Sequence, residues 1–333
     1  MNRKEIVSLI ILLAVISYGA YKFITREYTE TRSKYILDTI VEISATSKSK
    51  NVGNEIEAVF SLITDLGKKL NEYDPHSMIS KINDSTEEEF AIDEDIYNLL
   101  VLSDSLWHIS QGNFDPSIKP VWDLWHFNTE NPQVPDSLLI QEELKKVDFS
   151  RIRYSKDTLY KPSGMKLTFG GIAKGYILDK AIASMKQRHL YRGFINSRSS
   201  MCFYGFKIAP LVYIQHPRNA DSSIANFRIN DLSVGTSGDY QQFFENNGKR
   251  YHHILNAKTG MPVEKIFSVT VIAKNTAFAD GLSTALFTME PGKALDFVSN
   301  TEGLNCVIYY EQDDTIVSLK SEDIRDLEFS EKI

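Results

Sequence analysis

The chain has 333 residues, 42% of them hydrophobic, with a formal net charge of −7 and only two cysteines. That length can bury a substantial apolar core, while a pI near 5.6 and a mean hydropathy of −0.24 argue against a broad electrostatic grip on nucleic acid. Cys202 and Cys306, with no CxxC, argue against a structural zinc site or a disulfide framework and are expected as two core thiols.

In chain order, Arg3 and Lys4 precede an apolar run from Ile6 to Tyr21 that can nearly cross a bilayer as a helix. The stretch Tyr18-Gly19-Ala20 is a poor cleavage site and no Cys follows, so residues 1–25 are expected as an N-terminal membrane anchor or uncleaved signal. The basic residues before it hold that end in the cytoplasm and place Arg26 onward outside. A polar stalk is expected over 26–34 and one large folded domain over 35–333. "YILDTIVEISA" alternates like a strand, and Ile56, Val59, Phe60, Ile63, Leu66 and Leu70 recur at helical spacing. A second helix is expected from about Asp93 to Gln111, stopped by Gly112, followed by an irregular aromatic loop, "GNFDPSIKPVWDLWHF".

Short strands are expected over 147–169, with "MKLTF" as a strand entering the Gly170-Gly171 turn and a helix from Ile172 to about Arg188. Further strands are expected at 193–197, 202–208, 211–215, 227–234 and 267–273, helices at about 276–289 and 292–299, and two closing strands. The pattern implies an α+β domain with a mixed, largely antiparallel sheet flanked by helices.

Three constellations carry possible chemistry. Asp280 and Thr284, in "FADGLSTALF", share a helix face and present two hard oxygens suited to Mg²⁺; the alternative is a helix-terminal acid beside a packed hydroxyl. "LTFGGIAKGYILDKA" leads from a double-Gly turn into a helix, which favours an anion and sets Lys174 beside it; the alternative is that the glycines serve only turning and close packing. "SVGTSGDY" is followed by "YHHIL", a strand that would send His252 and His253 to opposite faces, so one site can use only one of them as a proton acceptor.

At these residues the sequence resembles the FAD:protein FMN transferase family, often called the ApbE family. The resemblance runs through "YILDT", "EYDPHSMISKIN", "GNFDPSIKPVWDLWHF", "GGIAKGYILD", "TSGDY", "YHHILNAKTGMPV" and "ADGLSTALF" in order. It implies an ApbE/T-fold-like flavin transferase domain that uses Mg²⁺ to move FMN from FAD, its substrate, to a Thr or Ser of an acceptor protein, with release of AMP. Carried over, Asp280 and Thr284 are Mg²⁺ ligands with the Gly171 carbonyl as a third. Lys174, Thr168 and Gly170 meet FAD, as do Thr236, Ser237 and Gly238. Tyr73 is an aromatic flavin contact, Leu37 lies near another, and Trp125, His126 and Phe127 form a loop lining the cofactor pocket. His253 is the proton acceptor.

The implied partners are FAD, a flavin-acceptor protein such as a subunit of a membrane redox complex, and the cell membrane, with no nucleic acid. The implied location is single-pass in the inner (cytoplasmic) membrane, with the domain on the extracytoplasmic side. The chain departs from the family pattern at Thr168 and Asn256, where Asp is frequent, at Ala257, where Pro is, and at Arg198, where a Gly is frequent. The changes at Thr168, Asn256 and Arg198 keep open an FAD-binding or scavenging protein without transfer, and within the enzyme class a Mg²⁺-dependent FAD pyrophosphatase is a second alternative.

Overall fold

The computed structural model describes residues 2–332. Its helices are α1 (Arg3–Ile24), α2 (Val52–Lys69), α3 (Met78–Asp84), α4 (Glu94–Ile109), α5 (Lys119–Leu124), α6 (Ser137–Leu144), α7 (Ala173–Gln187), α8 (Thr276–Phe287) and α9 (Pro291–Ser299). Its strands are β1 (Tyr28–Ile36), β2 (Thr39–Ser47), β3 (Glu89–Ala91), β4 (Arg153–Tyr154), β5 (Thr158–Tyr160), β6 (Arg192–Asn196), β7 (Ser200–Tyr204) and β8 (Leu211–His216). They continue with β9 (Asn219–Arg228), β10 (Leu232–Gly238), β11 (Phe243–Asn246), β12 (Lys249–His252), β13 (Ile266–Ala273), β14 (Asn305–Gln312), β15 (Thr315–Lys320) and β16 (Ser330–Glu331).

An eight-stranded sheet in the order β1-β2-β6-β7-β10-β13-β14-β15 forms the middle layer, and every one of its ladders is antiparallel. On one face lie α2, α4, α7 and α8. The apolar stripe of α2 behaves as its spacing predicts: Ile56, Val59, Phe60 and Ile63 are buried, each contributing about 1.5–3 kcal/mol. On the other face the β16-β9-β8 sheet packs Val212, Ile214 and Phe227 against Phe203, Val234, Ile272 and Tyr309. Strand β13 is therefore buried along its whole length, as a strand covered on both faces must be. Cys202 and Cys306 are free and buried, as expected.

Four expectations change. The stalk over 26–34 is instead mostly β1, whose nine residues pair with β2, so the folded domain begins at Tyr28. "YILDT" is not one strand: Leu37 and Asp38, both at positive φ (54° and 57°), turn the chain between β1 and β2. "MKLTF" joins no ladder. The Leu167 N–H and C=O are satisfied instead by the Asn83 side-chain amide at 2.7 and 2.8 Å, and the Thr168 N–H by the Pro116 carbonyl at 2.8 Å. Finally, the segment 227–234 spans the end of β9 and the start of β10, which belong to different sheets.

Candidate functional site

A cleft of about 1540 Å³ opens where the β1-β2 turn, the end of α2, the start of α7, the β6-β7 tip, β10 and α8 converge. Its lining includes Leu37, Tyr73, Thr168, Gly170, Gly171, Lys174, Thr236, Ser237, His253, Asp280 and Thr284. Segments far apart in sequence thus bring most of the expected site residues to one wall or another of a single cavity.

Helix α8 supplies the acid and the hydroxyl. Its first two N–H groups are capped by Asp179 of α7, through Thr276 N at 2.8 Å and Ala277 N at 2.9 Å, so Asp280, one turn further on, is not needed as a cap. Asp280 is buried; Oδ2 accepts from the Gly175 N–H at 2.9 Å and Oδ1 from the Ser200 hydroxyl at 2.8 Å. Burial raises its pKa, opposed by the charge of Lys174 and by those two bonds. The Thr284 hydroxyl shares a hydrogen bond with Ser237 Oγ at 2.9 Å, and a Cβ on Gly171 would sit 3.4 Å from it.

This close fit depends on a glycine of α7. A Cβ on Gly175 would meet the Thr276 carbonyl at 2.5 Å and Asp280 Cβ at 2.7 Å, so only glycine lets the two helices approach and its own N–H reach the carboxylate.

Among the described residues no three His, Cys, Asp or Glu side chains group as a metal site. A cation here would rest on one carboxylate and neutral oxygens, with substrate phosphates and water completing its shell, a hard-oxygen set that fits Mg²⁺. The Asp280 carboxylate, buried and destabilised in its charged form, is the group such a cation would relieve.

The two histidines part company as β12 ends. His252 is buried, with Nε2 2.7 Å from the Val263 carbonyl and its ring edge-on to Phe287. His253 lines the cleft, its Nδ1 3.1 Å from the Gln242 carbonyl. A carbonyl only accepts, so Nδ1 carries the hydrogen and Nε2 is left as a free base. Burial, reinforced by His252 and Lys174, lowers the His253 pKa to about 4, which keeps the ring neutral at pH 7.

The aromatic loop differs from expectation. Trp125, His126 and Phe127 do not line the cleft, and neither does Gly238. Trp125 is fully buried, donates from Nε1 to the Gly260 carbonyl at 3.0 Å and stacks on Phe127 at 5.7 Å, so these rings form a small core beneath the histidine loop. His126 is exposed at positive φ (54°), and Gly238 sits where a Cβ would strike the Tyr240 ring. One turn earlier on the short α5, Trp122 does face the cleft and donates from Nε1 to the His253 carbonyl at 3.1 Å. Behind it the buried Lys119 ammonium lies 4.9 Å from the Tyr73 ring, 5.5 Å from Trp122 and 3.5 Å from a Glu72 oxygen, and it also pairs with Asp123. Sequence reasoning missed Trp122, Lys119, Ser200 and Gln242; the first two stand inside a quoted motif, whereas Gln242 acts through its backbone and has no side-chain signature.

A model of the ApbE family matches residues 37–308. The chain belongs to the ApbE family. A curated relative from Treponema pallidum, named FAD:protein FMN transferase, is 26% identical over 86% of this chain and 85% of its own. One of the same name from Haemophilus influenzae is 28% identical over 84% of each. The crystal structure of the ApbE protein of Thermotoga maritima superposes with a TM-score of 0.85 at 29% identity, covering 90% of this chain and 99% of that one.

Proposed function

We propose that this ApbE-family chain is a Mg²⁺-dependent FAD:protein FMN transferase that attaches FMN to a Thr or Ser of an acceptor protein and releases AMP. The observation that carries the reading is the cleft itself, which holds a buried acid and hydroxyl one helical turn apart, a lysine at a helix start and a histidine with Nε2 free. The names of the relatives support the same activity.

In this reading Asp280, Thr284 and the Gly171 carbonyl would hold Mg²⁺, which would supply positive charge beside the phosphate oxygens. Lys174, at the start of α7, holds the pyrophosphate. His253 Nε2 takes the proton of the acceptor hydroxyl, the new O–P bond forms to the FMN phosphorus, and the P–O bond to AMP breaks, with AMP carrying off the electron pair. Trp122 and Gln242 fix the histidine by its backbone carbonyl and by Nδ1. Tyr73 and Leu37 offer apolar contact to the flavin, and Thr168, Gly170, Thr236 and Ser237 line the rest of its path.

The acceptor is proposed to be a subunit of a membrane redox complex, met outside the cytoplasmic membrane. Chromatography of the nucleotide products separates the readings. The transferase yields AMP in step with covalent flavin on the acceptor; equal AMP with and without acceptor would make the protein a pyrophosphatase, and no AMP with FAD retained would make it a binding protein.

A further inference from the structure

The tip of the β6-β7 hairpin, Ser197-Arg198-Ser199, forms part of the cleft wall. It is held tightly. Ser197 N and Oγ both donate to the Ser200 carbonyl at 2.9 Å, Arg198 N donates to Asn196 Oδ1 at 2.8 Å, and Thr236 N donates to the Ser199 carbonyl at 2.8 Å. Ser199 N also donates to the Ser197 carbonyl at 2.9 Å. That bond spans two residues around Arg198 at φ 69°, which makes the tip a γ-turn of the rare, strained, positive-φ kind. A side chain is disfavoured at such a φ, and a strained residue fixed by its surroundings points to a role.

Arg198 is exposed in the cleft, and among the described residues no acid pairs with its guanidinium. Beside it the Ser199 hydroxyl is buried without a hydrogen-bond partner. Two residues after Arg198, Ser200 binds Asp280 Oδ1, and Arg198, Lys174 and Asp280 all line the same cleft, the one in which the proposed reaction needs phosphate. An unpaired guanidinium presents a planar fork of donors matched to a phosphate edge.

We propose that Arg198 is a phosphate-binding residue of this chain, which holds the dinucleotide by its pyrophosphate and makes the cleft select FAD over flavins without phosphate. The proposal rests on the FAD reading above. Titrations of the full-length protein with FAD and with riboflavin, followed by flavin fluorescence at fixed Mg²⁺, test it in wild type and Arg198→Gly. The variant should bind FAD at least about tenfold more weakly and riboflavin unchanged, with a thermal midpoint at or above wild type because the turn is relieved. Equal FAD affinity in the two proteins, or an equal loss for riboflavin, would each overturn the phosphate role while leaving the FAD reading intact; a lowered midpoint would overturn the strain assigned to the turn. A wild type that binds neither ligand would overturn both.

Discussion

His252 and His253 are adjacent in sequence and opposite in fate. One is sealed against Phe287; the other faces the cleft with a fixed tautomer. The depressed pKa of His253, about 4 against 6.5 in an open chain, has a thermodynamic consequence. Between those two values the unfolded chain binds a proton that the folded one refuses, so the histidine's contribution is intact above about pH 6.5 and is lost as pH falls toward 4. Thermal unfolding of wild type and His253→Gln from pH 7 to 4 should show the wild type losing more stability than the variant on acidification. Parallel curves would mean that His253 titrates normally in the fold. The spacing of Asp280 and Thr284 was legible in the sequence because an i, i+4 pair on a helix can only share a face. The Gln242 carbonyl that sets the imidazole was not legible, since any residue supplies that group.

At the scale of elements, α7 and α8 are locked by reciprocal contacts: Asp179 caps α8, while Gly175 lets α7 close onto Asp280. A methyl at Gly175 has backbone on its path rather than a movable side chain. Gly175→Ala should therefore destabilise the fold by about 1–3 kcal/mol and weaken binding of Mn²⁺, used as a stand-in for Mg²⁺ and followed by electron paramagnetic resonance. Unchanged stability and Mn²⁺ affinity would contradict the account of this contact. Amphipathic helices such as α2 could be read directly because their periodicity reports the face they bury. The β1-β2 turn could not: Leu37-Asp38 lacks the Asn-Gly or Gly signal usual at two successive positive-φ positions, so nothing in the pattern separates the two strands, and the polar residues of β1 resemble a stalk. "MKLTF" misled in the other direction, since Asn83, far away in sequence, supplies the bonds that a neighbouring strand would have made.

At the scale of the whole molecule, the long sheet separates a helical layer from a small second sheet, and the cleft lies where loops from both halves of the chain meet. Helix α1 is unburied, and long and apolar enough to cross a membrane, as a signal sequence also would be. Only Thr25, Arg26 and Glu27 lie between it and β1, which would hold the domain against the bilayer if α1 is an anchor. On the anchor reading the full chain fractionates with membranes, and a form lacking residues 1–24 is soluble with unchanged FAD affinity. A full chain wholly in the soluble fraction would contradict it. The central claim, that one cleft joins the α8 acid to the free imidazole for flavin transfer, is tested most directly by a mass spectrum of an acceptor protein incubated with FAD, Mg²⁺ and this chain. The account predicts an added FMN with the wild type and none with Asp280→Ala; an unmodified acceptor with the wild type, or full modification by Asp280→Ala, would contradict it.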